Sequence, residues 1–141
     1  MKAILLLLTI SSMLFLQCKN DTGANSEKGY SDISFSDKRI NIGQIKLGSS
    51  KEIFFYVRNN SQIPLIIDSV KSSCSCTVSK FPHQPILKND SGLIVAIYTP
   101  NPTNIGAIDK SLVVLSNTKP AFNVLSFYGT VITTSHLKNR Y

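Results

Sequence analysis

Between residues 33 and 132 no window carries an apolar stripe of 3.6-residue period over the length of a helix, which rules out most α-containing folds. The apolar residues come in short extended runs instead. Ile53-Phe54-Phe55-Tyr56-Val57 is aromatic and β-branched, and it stops at the turn formers Asn59-Asn60-Ser61. The two-residue period of a strand puts Ile53, Phe55 and Val57 on one face and Phe54 and Tyr56 on the other. Segments 64–70, 93–98, 111–115 and 122–128 read the same way, and 33–35 with 40–42 read as one split first strand. Pro64 opens one run, Pro100 and Pro102 close another, and Asn117 to Pro120 part the last two. Strands at intervals of roughly 8–12 residues predict an all-β protein, a seven-stranded immunoglobulin-like β-sandwich over 33–132. A chain of 141 residues leaves no room for a second core of this size.

The segment ahead of this block reads as an address. Met1-Lys2 carries one positive charge, and Ala3 to Leu16 then runs uncharged, with Thr9, Ser11 and Ser12 as its polar interruptions. That is the length and composition of a signal-peptide core, and it is short for a membrane span. The run ends at Leu14-Phe15-Leu16-Gln17-Cys18 and gives way to the polar Lys19-Asn20-Asp21-Thr22-Gly23. Cys18 here resembles the bacterial lipobox, where cleavage before the Cys is coupled to its acylation. Gln17 departs from the small residue usual before it. An ordinary signal peptide cleaved elsewhere is the alternative, although no Ala-x-Ala site lies near the end of the core. The expected organisation is a leader over 1–17, a lipidated Cys18 with a tether over 18–32, the sandwich over 33–132 and a polar tail over 133–141. Acyl chains on Cys18 would hold the protein on a membrane. The expected location is therefore the bacterial cell envelope, periplasmic or surface-facing.

The chain carries 15 Lys and Arg against 8 Asp and Glu, and loss of Lys2 with the leader would leave 14 basic residues. They stand singly apart from Lys38-Arg39, without the clustered stripe of a nucleic-acid binder. Expected partners are the membrane, through the anchor, and another protein, but no nucleic acid. Two His and eight carboxylates are thin material for a hydrolase. There is no Gly-rich phosphate loop, Gly-x-Ser-x-Gly elbow or His-Glu-x-x-His motif. The protein is not expected to be an enzyme.

Several segments fall in a telling order: Ile42-Gly43-Gln44-Ile45 with Gly48; Phe55-Tyr56-Val57-Arg58-Asn59; Pro64-Leu65-Ile66-Ile67; Ser73-Cys74-Ser75-Cys76-Thr77. Pro85-Ile86 before Ser91-Gly92, Gly106 before Lys110, Ser116-Asn117 and Gly129-Thr130-Val131 follow. This set resembles a family of small bacterial immunoglobulin-like domains of unknown function, often lipoproteins, that commonly carry a Cys-Gly-Cys-Thr segment. That family is similar in turn to the ASH and major-sperm-protein sandwiches. Ser75 stands where Gly is usual, Val57 where an aromatic is, and Lys88-Asn89 where Pro-Gly is. The resemblance implies the fold and leaves activity open.

Cys74 and Cys76 are the chemical clue. On a strand, residues i and i+2 project from one face with Cα atoms about 6.6 Å apart, near the upper limit for a disulfide. Three readings are open. The first is two semi-buried residues or a disulfide that pins a strand bend. The second is a soft-metal site, paired thiolates suiting Cu(I) or Zn, with His83 as a third ligand and no obvious fourth. The third is thiol–disulfide exchange, which needs an activated thiolate. No resident cofactor is expected outside that copper reading. The expected function is a lipid-anchored, non-catalytic interaction or scaffold module that offers sheet edges; Phe54 and Tyr56 form either an exposed aromatic patch or a face covered by a neighbouring loop or the N-terminal segment. The alternative is an envelope copper-binding or thiol-redox module using Cys74 and Cys76.

Overall fold

A computed structural model describes residues 29–133. The expected leader, Cys18, most of the tether and the tail beyond Thr133 lie outside the described residues. The strands are β1 (Ile33–Phe35), β2 (Arg39–Lys46), β3 (Lys51–Asn59), β4 (Ile67–Ser72), β5 (Thr77–Lys80), β6 (Ser91–Tyr98), β7 (Gly106–Ser116) and β8 (Phe122–Ile132). A 3-10 turn at Pro102–Asn104 joins β6 to β7, capped by Asn101, whose side chain accepts from Thr103 N. The strands form two four-stranded sheets, in the orders β1-β3-β6-β5 and β2-β8-β7-β4. Every pairing within them is antiparallel except β2 with β8.

The sandwich therefore has eight strands where the sequence pattern predicts seven. The expected split first strand is two strands in opposite sheets, β1 on β3 and β2 on β8. Ser36, Asp37 and Lys38 between them are polar and exposed, so the chain can cross the open edge without burying unpaired backbone. The strand with no counterpart among the runs named in the sequence is β5, four residues too short and too polar to show an alternation. Segment 64–70 narrows to β4 because Leu65 is taken by Ile86, each accepting the other's N–H at 2.9 Å.

Alternation builds the core. Ile53, Phe55 and Val57 point inward from β3 as their spacing predicts, and Ile94, Ala96 and Tyr98 do so from β6. Leu112 and Val114 from β7 and Leu125, Phe127 and Val131 from β8 close on them. Each fully buried side chain of this size contributes about 1.5–3 kcal/mol relative to an exposed one. On the outside, Arg39 donates to both oxygens of Asp109, at 2.7 and 3.4 Å, and lies 4.7 Å over the Tyr128 ring. Both partners are more than half exposed, so the pair contributes little to stability.

One core group breaks the pattern. The Tyr98 ring packs against Phe127 at 5.3 Å, and its buried hydroxyl has no hydrogen-bond partner among the described residues. An orphaned hydroxyl is a net cost, so Tyr98→Phe is expected to raise the unfolding free energy by about 1 kcal/mol at neutral pH, measured by urea titration. A loss of stability there would mean that the hydroxyl is satisfied. Burial also raises the Tyr98 pKa above its ordinary 10.0. The unfolded phenol then ionises first, and stability present below pH 10 is lost as pH rises toward the folded value. The advantage of Tyr98→Phe should widen in that window.

Candidate functional site

Cys74 and Cys76 lie in the connection between β4 and β5 rather than on a strand, and there they form a disulfide. The turn brings their Cα atoms to 5.3 Å, well inside the bonding range that an extended segment only approaches. Ser75, standing where Gly is usual in the motif, is exposed on this turn.

The turn has supports of its own. Ser72 Oγ lies 2.8 Å from the carbonyl oxygens of both Cys74 and Thr77, and Thr77 N donates to Cys74 O at 3.3 Å. Ser73 N donates to Ser111 O, Ser111 N donates to Ser73 Oγ, and Thr99 N donates to Cys76 O. A disulfide that closes so short a loop removes only about 1.5 kcal/mol of chain entropy from the unfolded state. As a mechanical staple it is redundant with these hydrogen bonds.

Both cysteines are partly buried. Cys76 packs on the core, while Cys74 Sγ lies 3.5 Å from the Thr77 hydroxyl. The expected metal ligands Cys74, Cys76 and His83 are not gathered into one set. The two sulfurs are bonded to each other, and the exposed His83 ring sits 4.8 Å from Phe81. Among the described residues no three His, Cys, Asp or Glu side chains converge as metal ligands.

The second candidate is the outer face of the first sheet. Phe54 and Tyr56 point outward and are 44% and 57% exposed. Their cross-strand partners on β6 are Val95 and Leu93, and Val78 on β5, 62% exposed, stands opposite Ile97. The patch thus crosses three strands. Phe54 and Tyr56 are legible from the period of β3, whereas Val78, in a strand of four residues, has no periodic signal.

This face ends at an open edge. Ser36 N donates to Tyr56 O and Asn60 N to Asp32 O, so the even-numbered residues of β3 direct their backbone groups toward β1. By the same period Glu52 and Phe54 point that way too, but β1 pairs only with Val57 to Asn59. Among the described residues no strand pairs with β3 beside Glu52 and Phe54. A recess of about 260 Å³, lined by Ser34, Phe35, Ser36, Tyr56 and Arg58, opens beside the gap. Other edges are blunted: Lys51 Nζ donates to Ile42 O of β2 at 2.6 Å, and Ser79 Oγ to Val70 O of β4 at 2.9 Å.

Residues 33–131 match DUF1573, described as a protein of unknown function, and the chain belongs to that family. No curated protein sequence matches it. Among solved structures it is similar to a protein of unknown function from Porphyromonas gingivalis, with TM-score 0.66 and 14% identity over 78% of this chain and 51% of that one. The chain thus spans about half the length of that protein. It is also similar to an ASH/PapD-like domain of human CEP192, with TM-score 0.61 and 9% identity over 74% of this chain and 88% of that one. The YadV chaperone follows, with TM-score 0.53 and 15% identity over 71% of this chain and 52% of that one. At these identities the likeness establishes the fold, an immunoglobulin-like sandwich.

Proposed function

We propose that this DUF1573 member is a lipid-anchored, non-catalytic interaction module of the cell envelope that holds an extended segment of a partner protein against the free part of β3. The observation that carries this reading is the coincidence of two features on one strand. The backbone groups of Glu52 and Phe54, unpaired among the described residues, offer hydrogen bonds to an added strand. The exposed rings of Phe54 and Tyr56 lie on the face over which its alternate side chains would pack. Affinity would come from the backbone and selectivity from the rings, so the segment suited to it is apolar at alternate positions. The tether and an acylated Cys18 would keep the domain at the membrane.

The two features can be removed separately. The Glu52 N–H faces the open edge, so Glu52→Pro removes an edge donor while the pairing of β3 with β6 remains. Phe54→Ser with Tyr56→Ser removes the rings alone. Photo-crosslinking from position 93 in the native membrane fraction is expected to capture one partner. Each variant should reduce that capture roughly tenfold or more while urea unfolding stays within about 1 kcal/mol of wild type. Undiminished capture in both folded variants would overturn the reading. Cys18→Ala should move the protein out of the membrane fraction.

A further inference from the structure

We propose that the Cys74–Cys76 disulfide is a thiol–disulfide exchange site that accepts two electrons from an exported dithiol protein. Three observations carry this. The bond closes so short a loop, in a turn already held by Ser72, Ser73, Thr77 and Thr99, that breaking it leaves the backbone supported. Both cysteines are only partly buried and stand on a turn, although Cys76 packs on the core. The Thr77 hydroxyl, itself buried, lies 3.5 Å from Cys74 Sγ, where it can donate to the thiolate that Cys74 becomes. A hydrogen bond to the departing sulfur makes Cys74 the leaving group and Cys76 the sulfur attacked.

The exchange balances as follows. A thiolate of the partner attacks Cys76 Sγ, the Cys74–Cys76 bond breaks, and its electron pair leaves on Cys74, held by the Thr77 hydroxyl until solvent protonates it. The partner's second thiol, deprotonated, then attacks the partner sulfur of the mixed disulfide. Cys76 departs as a thiolate and takes a proton. The partner's two thiols have become a disulfide, and Cys74 and Cys76 have become two thiols. Reduction also creates the paired thiols that a soft metal would need, so any metal chemistry here would follow the exchange.

The test uses the intact, folded protein, with dithiothreitol as the dithiol probe. Free thiols are read by alkylation and by mass of the tryptic peptide that runs from Ser72 to Lys80 and contains both cysteines. The expected result is full reduction in the absence of denaturant, with the urea midpoint nearly retained in the reduced protein. Thr77→Val, which keeps the shape and deletes the hydroxyl, should slow reduction roughly tenfold. Cys74→Ser, incubated with oxidised glutathione, a disulfide whose leaving thiol is not tethered to the adduct, should accumulate a stable mixed disulfide on Cys76. A bond that yields only after denaturant unfolds the protein would overturn the proposal and make the disulfide a staple. An unchanged rate in folded Thr77→Val would overturn it too, because the hydroxyl would then do nothing for the departing sulfur. Capture of a partner at β3 is a separate readout and should not change with any of these variants.

Discussion

Asn59→Leu should lower the unfolding free energy by about 3 kcal/mol, more than a typical surface or semi-buried substitution. Asn59 occupies the next inward position after Ile53, Phe55 and Val57 and is fully buried. A polar group there survives because the amide is fully used. Its Nδ2 donates to Ile63 O at 2.8 Å and to Ile86 O at 2.9 Å, and its Oδ1 accepts from Ser61 N and Ser61 Oγ at 2.9 Å. Its backbone joins the same corner, accepting from Asn89 N and donating to Asp90 O. Leucine matches the size and keeps none of the side-chain bonds, so Ser61 N–H is orphaned and two carbonyls lose a donor. Four bonds at about 1 kcal/mol each, less some gain from burying Leu, give the expected loss. Asn59→Asp sharpens the test, since an ionised carboxylate would face the carbonyl oxygens of Ile63 and Ile86. Its stability deficit should grow between pH 5 and pH 8 in urea titrations, whereas that of Asn59→Leu should stay flat. A cost below 1 kcal/mol for Asn59→Leu would mean that water replaces the network.

The same residue shows how much of the molecule is legible in its sequence. The inward face of β3 follows from a two-residue period, so Ile53, Phe55 and Val57 can be placed without a structure. The period also puts Asn59 inside, yet Asn59-Asn60-Ser61 reads as a turn, because composition reports what a residue prefers and not which carbonyls surround it. Asn117 is a similar case. Its Oδ1 accepts from Ile66 N and its Nδ2 donates to Pro64 O, fastening the β7–β8 hairpin to the lead-in of β4 across 51 and 53 residues. Contacts this distant leave no periodic trace. The switch of sheet between β1 and β2 is hidden for another reason, since both halves read as strand whichever sheet they join. At the cysteines, the i, i+2 rule holds only for an extended chain, and the hydrogen bonds of Ser72 make the segment a turn. The aromatic patch was half legible: Phe54 and Tyr56 by period, Val78 only through its neighbours.

Gly129→Ala is expected to cost about 2–4 kcal/mol, and to spend it on one strand. A Cβ at Gly129 would lie 2.5 Å from the carbonyl oxygen of Gly43 and 2.7 Å from Ile42 Cγ1. The first of these is backbone, so no rotamer relieves it. Gly43 is the paired residue on β2, at a register shift, with φ of +67°. The bulge thus brings β2 down onto a position of β8 that only a glycine leaves open. Two of the segments that carry the family resemblance, Ile42-Gly43-Gln44 and Gly129-Thr130-Val131, are the two sides of this contact. Gly43→Ala separates the causes. Nothing lies within 4 Å of a Cβ there, so it carries only the penalty of a left-handed backbone, about 1 kcal/mol. Urea titration should therefore rank Gly129→Ala as the worse of the two, and equal costs would mean that strain rather than close approach governs this pairing. Hydrogen exchange should show where the damage goes. Amides of β2 should lose protection in Gly129→Ala while those of β3 and β6 keep it, because β2 is bound through β8 and makes few contacts with β3. Freeing β2 would also release Ile42 from Lys51 and bare the edge of β8 from Ser126 to Ile132. An unprotected strand of that length pairs with other chains, so light scattering of Gly129→Ala should rise with protein concentration where wild type stays level.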